Sequence, residues 1–251
     1  MRTKGISDDG RRHAPSRRKL SRPVERSTRR SLLRATAITL SFAAGATDAF
    51  AFLLLGGVFT ANMTGNMVLA GLTERTGYPS MLVGIVVAIF AFSVGLYIAF
   101  AIARPRPPVH RLVIVLLMGT IAQIAVLLGW MLIPVPIGVG GQAPLVALSA
   151  FAMASQTAVS KRIEARSGVS TTYVTGTITS LVADFADAKA QDSFTRIGVI
   201  GALVVGALCG SLLIGVTPTL GAALPILPAA VGIALLVVGR RTGRVSYAGF
   251  G

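Results

Sequence analysis

Cysteine and histidine are almost missing from this chain of 251 residues, which has Cys209, His13 and His110 and no others. One cysteine leaves no partner for an intrachain disulfide, and three such residues cannot build a zinc centre of the usual Cys/His kind. Charge is scarce too: Asp, Glu, Lys and Arg make up 13% of residues, against about 25% in soluble globular proteins. That shortage, beside 53% apolar residues, excludes an ordinary soluble domain. The sequence has no G-x-x-x-x-G-K phosphate loop, no H-E-x-x-H and no C-x-x-C. An enzyme is therefore not expected, nor is a metal or a cofactor.

Acidic residues are the scarcest charge, 9 against 24 Lys and Arg, for a formal charge of +15. Twelve of those basic residues fall in residues 1–34 with three acidic ones and no Phe, Tyr or Trp. Without rings to stack on bases, nucleic acid is a poor partner for this segment. A disordered cytoplasmic tail held electrostatically to anionic lipid is the better reading.

Beyond the tail, apolar blocks alternate with short polar joints. Six blocks reach the roughly 20 residues that a helix needs to cross a bilayer: 35–58, 81–103, 112–133, 139–159, 197–216 and 220–239. The segments 60–72 and 170–186 are shorter and rich in Thr, Ser, Asn and Gly. Cytoplasmic loops collect Lys and Arg, and that rule decides whether these two cross. With six spans and a cytoplasmic N-terminus, 11 of the 12 basic residues beyond the tail lie inside, and Arg75 alone lies outside. With eight spans they divide six and six, without bias. The sequence therefore predicts an all-α polytopic protein of the plasma membrane with six spans and both termini cytoplasmic. In a Cys209→Ala background on intact cells, single cysteines at Gly77, Gly138 and Pro218 should react with an impermeant thiol reagent. Those at Pro107 and Ser167 should not, and the reverse pattern would refute this topology.

A weak internal repeat is present. At an offset of 111, Thr60, Thr64 and Gly65 in T-A-N-M-T-G-N-M fall on Thr171, Thr175 and Gly176 in T-T-Y-V-T-G-T-I. At an offset of 108, Thr47 and Asp48 fall on Ser155 and Gln156. Residues 35–133 and 139–239 then form two membrane repeats of three spans and one short segment each, with 240–251 as a short cytoplasmic C-terminal tail. Three spans is an odd number, so the repeats are inverted, as in many secondary transporters.

A first span with a mid-helix Asp, followed by F-x-x-x-M-T-G-N and later by S-T-T-Y-V-T-G-T, resembles the YoaK-like bacterial membrane proteins, a domain of unknown function. The resemblance spans roughly residues 33–239. It implies an integral inner-membrane protein and supplies no substrate, so function has to be argued from the site.

Asp48 is the fourteenth residue of the 24 in block 35–58, close to mid-depth. A carboxylate there costs about 3 kcal/mol on insertion scales, so it should face protein or a watery cavity. It is either a coupling or substrate-binding group or a packing contact between helices. In the two Thr-Gly segments, glycine lets the chain leave the helix, and Thr, Asn and Tyr side chains can satisfy the exposed backbone. If the chain turns at Gly65 and Gly176, short helices begin near mid-depth with N–H groups aimed at a central cavity. Such ends favour an anionic or carbonyl-bearing ligand. The candidate solute- or ion-binding residues are then Asp48, Asn62, Thr64, Gly65, Asn66, Gln156, Thr172, Tyr173, Thr175, Gly176, Thr177 and Asp184. Gln123 is a further candidate to line a cavity. The bland alternative is that these small residues only pack helices, as Gly206 and Gly210 are expected to do.

Three readings stay open: a secondary transporter or facilitator of a small solute, a structural or partner-binding membrane protein, and, less favoured, an intramembrane enzyme. Oligomeric state is not legible.

Overall fold

The first apolar block carries its helix back into the basic tail. No helix breaker lies between Pro23 and Ala35, and proline suits a first helical position because its missing N–H is unpaired there anyway. Accordingly α1 runs Pro23–Leu54, so residues 23–34 are helical and not, as the sequence suggested, disordered. The computed structural model describes residues 23–105, 107–133, 137–167, 174–187 and 193–241. Most of the basic tail, residues 1–22, and the C-terminal residues 242–251 lie outside these.

Among the described residues eight further helices follow: α2 Met63–Ala70, α3 Tyr78–Ile102, α4 Val109–Leu132, α5 Val139–Ser167, α6 Val174–Ala186, α7 Ser193–Val216, α8 Pro218–Ala223 and α9 Ile226–Arg241. Among the described residues six helical stretches are long and apolar enough to cross a membrane, and the helices of the two Thr-Gly segments, α2 and α6, are not among them. The last stretch, Pro218–Arg241, is not one continuous helix as its hydropathy suggests. It breaks at Leu224 and Pro225, where the proline has no N–H to give the preceding turn. At the other extreme α5 outruns its apolar block by about two turns. Arg162 on that extension donates to the Ala103 carbonyl (2.7 Å) at the end of α3 and lies 4.8 Å from the Phe100 ring centre. A cation there satisfies a carbonyl that the helix end leaves open and complements its negative pole.

Packing follows a regular exchange. α1 packs chiefly on α7, and α3 on α5; α1 also packs on α9, and α4 on α5; α2 meets α3, and α6 meets α7. Matching α1 with α5, α2 with α6, α3 with α7 and α4 with the broken span of α8 and α9 turns each of these contacts into another of them. The α1–α5 and α4–α9 contacts map onto themselves. α1 and α5 are the most enclosed of the six stretches, α3 and α7 the least.

Small residues set how closely these helices approach. A Cβ on Gly45 would overlap the Leu203 carbonyl, and one on Gly206 the Phe42 carbonyl. A Cβ on Gly210 would press to 3.2 Å from the backbone of Ala46, tighter than an ordinary contact. The α1–α7 crossing is therefore a backbone-to-backbone contact of the kind small residues permit in membrane bundles. Gly95 makes similar room for Phe151 between α3 and α5, and Gly119 for Ser155 between α4 and α5.

Candidate functional site

The first Thr-Gly segment is re-entrant relative to α1. The chain reverses just past α1 at Gly56 and Gly57, whose φ values of 90° and 75° lie in the left-handed region that glycine adopts readily. It then descends to Asp48, six residues, or about 9 Å, below the end of α1 at 1.5 Å per residue. There Asp48 Oδ1 accepts the backbone N–H groups of Thr60 (2.8 Å) and Ala61 (2.7 Å). The Thr60 hydroxyl donates to the same oxygen at 3.4 Å, and Ser149 of α5 donates to Thr60 Oγ1 at 3.3 Å. The eight residues of α2 then climb back, and the Tyr78 hydroxyl at the start of α3 holds the Ala70 carbonyl at 2.7 Å.

The reversal therefore occurs at Gly56 and Gly57, not at Gly65 as the sequence led us to expect. Gly65 lies in the first turn of α2, and its missing side chain admits the Phe59 ring, which a Cβ would approach to 2.9 Å. Asn62 caps the helix by accepting the Gly65 N–H at 3.0 Å, which satisfies one of the donors a helix start leaves open. Asn66 is fully buried; its Oδ1 accepts the Phe59 N–H (2.8 Å) and its Nδ2 donates to the Phe59 carbonyl (2.7 Å). This paired bond replaces the strand or helix partner that Phe59 lacks. Asn66 is thus a lock on the re-entrant loop, with no place in the cavity wall.

One cavity of about 780 Å³ opens beside this loop, within the range of small-molecule sites. Its wall includes Asp48, Asn62, Thr64 and Gly65 from the first half and Gln156 and Thr177 from the second. The structure thus brings together six of the residues the sequence proposed. Gly176 falls inside α6, is exposed and is not a turn. Thr175 lies in the first turn of α6, and its side chain is outside what is described, as are Thr172 and Tyr173 altogether. Asp184 is away from the cavity, in an ion pair with Arg196 of α7. Gln123 is likewise buried elsewhere, at 1% exposure, with neither carboxamide atom hydrogen-bonded among the described residues.

The sequence reading missed Ser41, Phe92, Met153, Thr157 and Ser160, all in the wall. A usable signal existed for most of them. Ser41 precedes Asp48 by seven residues, while Met153 and Ser160 flank Gln156 by three and four, the spacings of one helical face.

The expected anion site is altered by this geometry. The N–H groups of Thr60 and Ala61, just ahead of α2, are already taken by the protein's own carboxylate, and that of Gly65 by Asn62. An anionic ligand would meet Asp48 where free N–H groups were expected.

Comparison with known proteins places these features in a family. The family described as "Protein of unknown function (DUF1275)" matches residues 36–238. A relative from Bacillus subtilis (strain 168), the UPF0700 transmembrane protein YoaK, is 30% identical over 178 residues, covering 68% of this chain and 76% of the relative. No solved structure matches significantly.

Proposed function

The chain belongs to the DUF1275 family of integral membrane proteins, and on that premise we propose that it is a secondary transporter or facilitator that carries a small solute across the bacterial inner membrane. Both termini are cytoplasmic in this reading. The observation that carries it is a cavity walled by a re-entrant segment and a mid-helix carboxylate from one half and by α5, α6 and α7 from the other. The exchange of packing partners between the halves supports two inverted repeats, and rocking of such repeats about a shared central site is how many transporters alternate access. A membrane protein serving only as a scaffold has no need of a polar cavity at this depth.

Alternating access makes a prediction that needs no knowledge of the solute. A single cysteine at Thr157, in the cavity wall, with Cys209→Ala, should react with an impermeant thiol reagent in both right-side-out and inside-out vesicles. Reaction from one side alone would refute the transport reading and favour a structural or partner-binding membrane protein.

A further inference from the structure

Among the described residues Asp48 is the one charged side chain in the cavity wall, and no Lys, Arg or His lines it. Its Oδ1 is occupied by the Thr60 and Ala61 backbone and the Thr60 hydroxyl. No cation is paired with this carboxylate among the described residues of the wall. Across the cavity Gln156 is 5% exposed, and its carboxamide oxygen is buried without a donor. A carboxylate without a counter-charge and a carboxamide oxygen without a donor call for a ligand that brings positive charge and N–H groups. The rest of the wall mixes Ser41, Thr64, Thr157 and Ser160 with an apolar face of Leu40, Leu96, Met153 and the ring of Phe92. An ammonium group beside a carboxylate and an aromatic face is attracted by both.

From these groups we infer that the cavity binds an organic cation with N–H donors, a protonated amine on an apolar skeleton, with Asp48 as its counter-charge. This deepens the transport reading and rests on the same cavity. It replaces the anionic solute expected from helix ends alone, because a carboxylate in the wall repels a second negative charge.

Three molecules of one skeleton test the inference: phenethylamine, protonated at neutral pH, 2-phenylethanol and 3-phenylpropionate. Binding is measured on the purified full-length protein in detergent, with radiolabelled phenethylamine displaced by each unlabelled compound. Saturable binding of the amine is expected, with weak displacement by the alcohol and none by the carboxylate. Asp48→Asn keeps an oxygen for Thr60 and Ala61 while removing the charge, and it should weaken amine binding by about tenfold or more. The double variant Phe92→Leu with Gln156→Leu leaves Asp48 in place and should also lose about tenfold, which keeps the test open if Asp48→Asn does not fold.

Absence of saturable amine binding, amine affinity unchanged in a folded Asp48→Asn protein or in the double variant, or preference for the carboxylate would each overturn the inference. Failure of the transport reading is separable from these. A protein that binds the amine through Asp48 but moves none across proteoliposomes would defeat transport and leave the cation site standing. Flux of a carboxylate without amine binding would do the opposite.

Discussion

Gly206→Val should abolish the folded protein or lower its stability by about 3 kcal/mol or more, the upper range for overpacking a filled interior. The expected severity follows from where the new atoms must go. A Cβ at residue 206 already overlaps the Phe42 carbonyl, and a carbonyl in a helix cannot step aside as a side-chain tip can. α1 and α7 would have to separate, and their crossing is the most extensive helix pairing in the bundle. Gly206→Ala should therefore also be destabilising, although alanine is the better helix former. Gly201 and Gly215 on the same helix have open space where a Cβ would be. Gly201→Ala and Gly215→Ala should stay within about 1 kcal/mol of the parent, on the favourable side if helix propensity decides. Thermal unfolding of the detergent-solubilised proteins makes the comparison, and equal midpoints for Gly206→Ala and Gly201→Ala would show that the crossing is looser than described.

Asp48 should separate into a structural oxygen and a functional charge. Removing both with Asp48→Ala leaves the Thr60 and Ala61 N–H groups without their acceptor. An orphaned buried donor costs about 1–3 kcal/mol, so the pair should cost roughly 2–6 kcal/mol and release the re-entrant loop from α1. Asp48→Asn keeps an acceptor at Oδ1 and should cost no more than about 1 kcal/mol, while solute binding and flux fall steeply. Unfolding midpoints read the first effect, and proteoliposome uptake reads the second. An Asp48→Ala protein as stable as Asp48→Asn would refute the structural role. An Asp48→Asn protein with full uptake would remove the charge from the site and leave the cavity without its main polar determinant.

These two residues also mark where sequence and structure divide. Gly206 was legible as a packing residue because small residues spaced along one apolar helix have few other uses in a membrane. Asp48 was legible as exceptional because a carboxylate at mid-span is costly wherever it points. What the sequence could not show was how each polar group is used. T-A-N-M-T-G-N-M looks like a run of ligand groups. In the folded chain Asn62 caps α2, Asn66 closes the Phe59 backbone and Gly65 makes room for a ring, although Asn62, Thr64 and Gly65 also line the cavity.

By itself the sequence determined the all-helical membrane class, the six spanning stretches and the two short segments that do not span. Hydropathy over about 20 residues and the placement of Lys and Arg are local properties that the bilayer reads directly. Only the tertiary structure decided that the chain reverses at Gly56 and Gly57, that α1 starts at Pro23 and that Pro225 interrupts the last span. It alone brought Gln156 and Thr177 to the cavity that Asp48 lines and took Asn66 and Asp184 away from it. The physical reason is that a polar group in a membrane bundle must find a partner. Which partner it finds depends on segments far apart in sequence: Ser149 reaches Thr60 across 89 residues, and no periodicity in the chain encodes that meeting.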